Sequence, residues 1–442
     1  MLLQRAPRST LRNGSGLFKS LFHSTPSARA QLDHTHQFVV VGGGAGGLAV
    51  GSWIRRKYGE NSLAIIEPAD THYYQPMFTL VGGGAKKMDA TARPMASLMP
   101  PDAKWVRSSV TEFRPDENYV VTADGQRVGY EYLVVALGLE VKYDGIKGLQ
   151  PLLEDPQSMV STNYSPLYAS KTFQNIQRFT GGNAIFTMPP LPVKCPGAPQ
   201  KIMYLAEDYW RKHGVRDETT VTYNTALGVI FGVKKYANSL LKVVEERDIK
   251  LNFQRKCVEI TKNEAIFENT QEGTIETYKY DFLHASPPQG PLAMMKGQPI
   301  SDEIGWVDVD KTTLQHRRYP NVFGIGDCTN VPTSKTAAAV AAESAILKTN
   351  IAAVVKGLNP SALYDGYTSC PLITGYGKTI LAEFDFNANP LETFPFDQGK
   401  ERRSMYHLKK DVMPELYWEG LLKGLWGGPA IARKIMHLGT RE

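Results

Sequence analysis

Short apolar runs and amphipathic segments alternate along most of the chain. The first run, residues 38–41 in "QFVVVGGGAGGLAV", has no polar position, which predicts a strand buried on both faces. A helical segment, "LAVGSWIRRKYG", and a second apolar run, "SLAIIE", follow it. Strand, helix and strand in this order predict an α/β fold with parallel strands.

The turn between the first strand and the helix is rich in glycine. Gly42, Gly44 and Gly47 match G-x-G-x-x-G, and Glu67 ends the next strand 20 residues after Gly47. Such glycines let a pyrophosphate approach the helix N-terminus closely, and an acid at this offset accepts hydrogen bonds from a ribose. Because strand, helix and acid are all in place, the sequence predicts a dinucleotide site.

Two later apolar strands indicate which dinucleotide binds. "YEYLVVALG" closes in a glycine turn at Gly138, and "YPNVFGIGDCTN" ends at Asp327. In sequence they resemble the two later motifs of the two-dinucleotide-binding flavoproteins, in which the second motif binds FAD. The alternative is a pair of buried strands with turns. Since all three motifs occur in order, we expect FAD.

A second strand–helix–strand unit lies between these motifs, in "GNAIFTMP", "QKIMYLAEDYWRKHG" and "TTVTYNTAL". Its first turn is the proline-rich "MPPLPVKCPGAPQK" instead of a second glycine motif, and its next strand ends near Asn224 and Thr225 instead of an acid. Each proline fixes φ and lacks an N–H, so neither an ordinary helix nor a central strand is expected there. Cys195 therefore lies in the turn that, in an NAD-binding unit, would bind the pyrophosphate of NAD.

The four cysteines have no CxxC or zinc-ligand spacing, so we expect no metal site and no disulfide framework. Cys370 precedes Pro371, in a predicted turn before a strand, while Cys257 is predicted on a strand and Cys328 as a packing residue. A free cysteine is usually a buried hydrophobic residue. Two proline-flanked thiols in an FAD protein without a second nucleotide motif instead indicate a redox pair.

Two further helices are predicted within residues 231–249 and 334–355, the second directly after Asp327. No apolar run approaches the roughly 20 residues of a spanning helix. The C-terminal "MYHLKKDVMPELYWEGLLKGLWGGPAIARKIMHLG" alternates apolar and basic residues. Trp418, Trp426 and the neighbouring bases suit a membrane interface. The alternative is a helix packed on the protein or on a partner subunit.

Charge adds a targeting prediction. The net charge is +6, but no lysine- or arginine-rich run is dense enough to indicate nucleic-acid binding. Residues 1–32 are rich in arginine and serine and contain no acid, which is typical of a mitochondrial transit peptide. The alternative is a disordered basic tail.

Four segments carry a specific resemblance: "HYYQPMFTLVGGGAKK", "PVKCPGAPQKIMYL", "HRRYPNVFGIGDCTNVPTSKTAAAVAAES" and "YDGYTSCPLITGYGKTILAEFD". From about Gln37 to its C-terminus, the chain resembles the mitochondrial type of sulfide:quinone oxidoreductase. The resemblance implies an enzyme that oxidises hydrogen sulfide to sulfane sulfur, with Cys195 and Cys370 as the catalytic redox pair. Two electrons would pass through FAD to ubiquinone, and the sulfur to glutathione, sulfite or cyanide.

Together with the motifs above, the resemblance implies a set of FAD-binding residues and a location. The location would be the mitochondrial inner membrane, with peripheral or monotopic attachment to the membrane surface. The expected FAD contacts are Gly42, Gly44, Ala45, Gly46, Gly47, Glu67, Gln75, Val110 (by its backbone, to adenine), Gly138, Asp327, Lys335 and Ala337.

The sequence thus predicts two Rossmann-like FAD/NAD(P)-type domains followed by a membrane-associating amphipathic segment. The expected boundaries are 37–155 with 300–360 for the FAD domain, 156–299 for the second domain, and 361–442 for the C-terminal region. Two alternatives stay open: a type II NADH:quinone oxidoreductase, which the missing second glycine motif disfavours, and a flavin-binding regulator without turnover.

Overall fold

The computed structural model of the chain describes residues 31–438. All but the last two residues of the predicted transit peptide lie outside the described residues.

A mixed sheet organises residues 31–155. In spatial order its strands are β5 (Lys104–Val106), β2 (Leu63–Ile66), β1 (His34–Val41), β8 (Arg127–Val135), β7 (Tyr119–Thr122) and β6 (Val110–Arg114), and β1 pairs in parallel with both β2 and β8. Residues 38–41 of β1 are buried, as the apolar run predicts. In chain order the elements are β1 (His34–Val41), α1 (Ala45–Tyr58), β2 (Leu63–Ile66), β3 (Thr71–Tyr73), α2 (Phe78–Gly82), β4 (Ala92–Pro94), β5 (Lys104–Val106), β6 (Val110–Arg114), β7 (Tyr119–Thr122), β8 (Arg127–Val135), β9 (Glu140–Val141) and α3 (Leu149–Glu154).

A second, parallel sheet organises residues 156–299. In spatial order its strands are β10 (Val160–Ser161), β17 (Phe282–His284), β11 (Gly182–Met188), β12 (Thr219–Thr225) and β13 (Lys250–Asn252). The crossover from β11 through α5 to β12 confirms the second Rossmann-like unit. An antiparallel sheet, β14–β15–β16, adjoins it. The elements are β10 (Val160–Ser161), α4 (Ala169–Arg178), β11 (Gly182–Met188), α5 (Ala198–Lys212), β12 (Thr219–Thr225), α6 (Lys234–Glu246), β13 (Lys250–Asn252), β14 (Arg255–Ile260), β15 (Glu264–Asn269), β16 (Ile275–Lys279), β17 (Phe282–His284) and β18 (Gln289–Gly290).

The remaining chain returns to the first sheet and then covers it. The first strand of this region pairs in parallel with β8, and the long helix that follows it packs on α1. Two consecutive π-helical segments, Leu408–Val412 and Leu416–Leu421, interrupt the late helices. The elements are β19 (Val322–Gly324), α7 (Ala337–Val355), β20 (Thr368–Gly375), β21 (Lys378–Phe384), α8 (Arg403–His407), α9 (Met413–Glu415) and α10 (Ala430–Met436).

Two sequence expectations are corrected by these elements. Cys370 lies inside β20, opposite Ala382 of β21, and not in a turn before a strand. Helix α7 has 19 residues and is apolar enough to span a bilayer by length and composition, although no such run was expected. The sequence does not show a continuous apolar run here because Glu343 and Asn350 interrupt it. In the structure both side chains are buried and hydrogen-bonded within the fold. The helix packs against α1 and β20.

Candidate functional site

A cavity of about 350 Å³ lies where the first sheet, α7, the thiol loop before α5 and the C-terminal helices meet. Its wall includes Ala136, directly after the C-terminal end of β8, and open α/β sheets commonly bind ligands at the C-terminal ends of their strands. The cavity therefore sits where the three predicted FAD motifs and both proline-flanked cysteines converge.

The glycine turn divides into packing positions and wall positions. A Cβ on Gly47 would lie 1.8 Å from the carbonyl oxygen of Gly42, and Gly42 itself has φ of +104°. These two glycines permit the turn but do not line the cavity. Gly44, Ala45 and Gly46 do line it. Helix α1 begins at Ala45 with no side-chain cap, so its first N–H groups face the cavity without an internal acceptor.

Glu67 is held in one orientation at this wall. Its Oε2 accepts from the Gly43 N–H at 2.7 Å, and its Oε1 accepts from the Ala69 N–H at 2.7 Å. A Cβ on Gly43 would lie 2.8 Å from the Glu67 Cγ, so only glycine leaves space for this side chain. The fixed carboxylate suits a ribose diol, as the sequence predicts.

Of the six other predicted FAD contacts, five line the cavity. Gln75, Gly138, Asp327, Lys335 and Ala337 line the cavity. Burial raises the pKa of Asp327, although Lys335 and Lys194 oppose the shift. Thr336 caps α7 by accepting from the Ala339 N–H at 3.1 Å, so the helix starts at the cavity wall.

Val110 is different, because it is buried in β6 and does not line the cavity. The structure therefore gives no support to the predicted adenine contact of Val110. The other groups fit FAD, because an uncapped helix N-terminus suits its pyrophosphate and a fixed carboxylate suits its ribose, and both line one cavity.

The two proline-flanked cysteines meet although 175 residues separate them: their Sγ atoms are 3.5 Å apart. Cys195 lines the cavity, whereas Cys370 lies behind the wall and its neighbours Ser369 and Pro371 line it. Cys195 has φ of +52°, an uncommon conformation outside glycine. Its N–H donates to the Ser334 carbonyl and its own carbonyl accepts from the Ala198 N–H. Helix α5 packs on β20, which carries Cys370. The stiff loop thus aims one thiol at the other.

Gly197 leaves the space for Cys370. A Cβ at this position would lie 2.5 Å from the Cys370 Sγ and 2.6 Å from the Leu372 Cδ2. Its φ is −81°, so the backbone would accept alanine, and the requirement for glycine is steric.

The two thiols have opposite electrostatic environments. The hydrogen bond from Cys370 and the ammonium of Lys201, 3.2 Å from Sγ, hold the pKa of Cys195 well below its ordinary value. The same hydrogen bond and burial raise the pKa of Cys370. The cysteine pair raises the pKa of Lys201 despite its burial. The arrangement is a Cys195 thiolate between a protonated Cys370 and a charged lysine.

Sequence reasoning missed three lysines at this cavity: Lys194, Lys201 and Lys409. Lys194 donates to the Gln75 Oε1 at 2.7 Å. Lys409 is buried, and desolvation together with the charge of Lys201 lowers its pKa to about 8. A lysine beside a cysteine and one in the first turn of a helix were the available signals for Lys194 and Lys201. Nothing local marks Lys409 as buried.

The C-terminal helices form part of the cavity wall through Lys409, Met413 and Tyr417. His72 donates from Nδ1 to the Gly43 carbonyl at 3.0 Å, so its Nε2 accepts from the Tyr417 hydroxyl at 2.6 Å. Burial lowers the pKa of His72 to about 4, which keeps the ring neutral. Trp418 packs edge-on against His72 and is only 5% exposed. The expectation that Trp418 lies at a membrane interface is therefore wrong.

Cys257 and Cys328 take no part in this cavity. Both are buried, and desolvation raises the pKa of Cys257 to about 12 and that of Cys328 to about 11. Within residues 31–438, no group of three or more His, Cys, Asp or Glu side chains is arranged to hold a metal ion.

Curated relatives that match about nine tenths or more of this chain at 40–50% identity share one name. The model of the pyridine nucleotide-disulphide oxidoreductase family matches residues 36–169. The chain is 50% identical to the mitochondrial sulfide:quinone oxidoreductase of Mus musculus, covering 91% of this chain and 90% of the relative. It is 46% identical to the protein of the same name from Dictyostelium discoideum, covering 90% and 89%.

A solved structure has the same fold. The sulfide:quinone oxidoreductase of the hyperthermophilic bacterium Aquifex aeolicus superposes with a TM-score of 0.76 at 19% identity, covering 92% of this chain and 96% of that one.

Proposed function

The chain belongs to the mitochondrial sulfide:quinone oxidoreductase family, an assignment that makes it an FAD-dependent mitochondrial enzyme oxidising sulfide and reducing a quinone, and we propose that Cys195 and Cys370 carry the sulfur. The observation that carries this proposal is the 3.5 Å separation of the two Sγ atoms, together with the place of Cys195 in the cavity wall. The distance exceeds the roughly 2.05 Å of a disulfide, so the described state is the dithiol.

The environments of the two thiols assign their roles. In the oxidised enzyme the pair is a disulfide, and hydrosulfide attacks one of its sulfurs. The thiol with the lower pKa is the better leaving group. Attack on Cys370 therefore forms a Cys370 persulfide and breaks the disulfide, releasing Cys195 as a thiolate that Lys201 stabilises.

The sulfane sulfur then leaves to a nucleophile. The acceptor attacks the outer sulfur of the Cys370 persulfide, forms a new S–S or S–C bond and returns Cys370 to the thiol. Reoxidation of the Cys195 thiolate and the Cys370 thiol to the disulfide releases two electrons and one proton, which comes from Cys370. FAD bound in the cavity supplies the two-electron carrier between the thiols and the quinone.

The acceptor we propose is small and anionic. Lys194, Lys201 and Lys409 line the same cavity as Cys195, and their charges favour an anion such as sulfite or a glutathione thiolate. Lys201 and Lys409 are buried, so water screens their fields weakly.

We also propose FAD contacts that follow the lining of the cavity. The α1 N-terminus with Gly44, Ala45 and Gly46 would hold the pyrophosphate, and Glu67 the ribose. Asp327, Lys335 and the start of α7 at Ala337 would lie beside the ribityl chain and flavin, with Gln75 and Gly138 completing the wall. The domain boundaries 37–155 with 300–360, 156–299 and 361–442 form part of the same proposal.

Peripheral attachment to the inner membrane is the last part. The C-terminal segment, residues 424–438, carries Leu425, Ile431 and Ile435, which are 70%, 77% and 69% exposed. A long-tailed quinone stays in the bilayer, so an apolar surface next to the cavity-covering helices would bring the cavity to its substrate.

Anaerobic flavin bleaching tests the proposal against the NADH-oxidising alternative. Stoichiometric sulfide should reduce the bound FAD within the mixing time of a stopped-flow instrument, and NADH should not. The basis is the proline-rich loop that replaces a second glycine motif. Fast bleaching by NADH with none by sulfide would contradict the proposed chemistry.

A further inference from the structure

A groove runs between the C-terminal halves of α1 and α7, on a surface separate from the FAD cavity. No residue that lines the groove also lines that cavity. The lining residues are Trp53, Lys57, Lys348, Thr349, Ala352, Ala353, Lys356 and Leu358.

The groove is positively charged. Lys57, Lys348 and Lys356 line it, and none of its lining residues is acidic. Lys348 is half-buried, and its Nζ donates to the Gly424 carbonyl at 3.1 Å. Burial and the nearby charge of Arg56 lower the pKa of Lys348 to about 8, with no carboxylate opposing them. Among residues 31–438, Lys348 therefore has no carboxylate partner at a place where an anion would be favourable.

Apolar surface lies directly beside these charges. The Lys57 ammonium lies 5.1 Å from the ring centroid of Trp53, and Leu358 is 61% exposed. Gly424 packs on α1, where a Cβ would lie 2.6 Å from the Ala49 carbonyl oxygen. The next residue, Leu425, is exposed. The groove thus combines cations with an apolar rim that continues into the C-terminal segment.

We propose that this groove binds the phosphate headgroup of an anionic phospholipid, with an acyl chain against Leu358 and Leu425. The inference rests on the proposed membrane attachment and adds the position at which a headgroup is held. Cations attract the phosphate, while the apolar rim favours a lipid over a free phosphate ion. Long lysine stems suit this geometry, because they cover apolar surface and keep the ammonium in water.

The test compares two charge-removing variants of the full chain in vesicle sedimentation. The groove variant is Lys57→Gln with Lys356→Gln, both exposed positions on the groove. The control is Lys262→Gln with Lys279→Gln, two exposed lysines of the second domain. Vesicles are phosphatidylcholine alone or phosphatidylcholine with about 30% phosphatidylglycerol, and FAD content reports folding.

On the anionic vesicles, the groove variant should bind on the order of 25-fold more weakly, about fivefold for each lysine removed. The control should change by about twofold or less, and binding to phosphatidylcholine alone should not change in either variant. Inorganic phosphate at millimolar concentration should not displace the wild-type protein.

The possible failures are distinguishable. Equal weakening of both variants, or no weakening of the groove variant, would overturn the headgroup site and leave the proposed membrane attachment standing. Displacement by inorganic phosphate would also overturn it, in favour of a free-anion site. A wild-type protein that sediments with neither kind of vesicle would contradict the membrane attachment itself.

Discussion

Cys195 and Cys370 are chemically different although both are flanked by proline. Cys195 is held in a left-handed conformation beside Lys201, while Cys370 is enclosed in β20. The pair therefore divides the work: one sulfur is stable as a thiolate, and the other stays protonated until it is oxidised. Two residues beside the pair, Lys201 and Gly197, can be changed without removing a thiol.

Replacing Lys201 should shift the pH dependence. Lys201→Met removes a cation 3.2 Å from the Cys195 Sγ, so the pKa of Cys195 should rise. The thiolate exists above that pKa, and the acidic limb of the rate of flavin reduction by sulfide should move to higher pH. Lys201→Arg should restore much of the profile. A Lys201→Met enzyme with an unchanged profile would show that this charge does not act on Cys195.

Gly197→Ala should uncouple the thiols without removing either. The new methyl group would lie 2.5 Å from the Cys370 Sγ, which must move. A displacement near 1 Å can cost about 100-fold in rate, so we expect a loss of that order in flavin reduction with FAD retained.

Gly232→Ala is the matched control for that variant, because a Cβ at Gly232 meets no atom within 4 Å. Rates for Gly197→Ala within about twofold of the control would mean that the pair tolerates displacement.

At the scale of elements, the sequence predicts what local burial determines. The apolar runs of β1, β8 and β11 and the helices α1, α5 and α7 are confirmed, because each pattern reports its own burial. Cys370 was wrongly expected in a turn, since a Cys-Pro pair gives no sign of the long-range pairing with β21. The position of Trp418 was also wrong, because its burial against His72 depends on a contact across most of the chain.

The last helix, α10, offers a cleaner test of membrane attachment than removing the whole C-terminus. Truncation from Met405 would delete Lys409 and Tyr417 from the cavity wall. Ile431→Asp with Ile435→Asp changes only exposed positions of α10. Binding to vesicles should weaken by about tenfold or more, and turnover with a long-tailed quinone should fall.

Flavin reduction by sulfide should be unaffected in that variant, because α10 does not line the cavity. Ile275→Asp with Ile304→Asp, at two other exposed positions, is the control. Equal effects of the two pairs on vesicle binding would remove α10 from the membrane proposal.

Across the whole molecule, the proposed reaction uses residues from every region of the chain. The first sheet supplies the glycine turn and Glu67, the second unit supplies Cys195 and Lys201, and the C-terminal region supplies Cys370 and Lys409. The second Rossmann-like unit has the proline-rich loop of Cys195 where a second glycine motif would stand, which is the basis for proposing sulfide instead of NADH as the electron donor.

In the proposed reaction, the two thiols together convert sulfide to sulfane sulfur while FAD is reduced. The direct measurement is an anaerobic single turnover that quantifies reduced FAD and acceptor-bound sulfane sulfur. The wild-type protein and the buried-thiol control Cys257→Ser should give the two products in a ratio near one. Cys195→Ser and Cys370→Ser should retain FAD and yield less than about 1% of either product, since a serine oxygen cannot form a persulfide. Near-normal yields of both products from either serine variant would contradict the account.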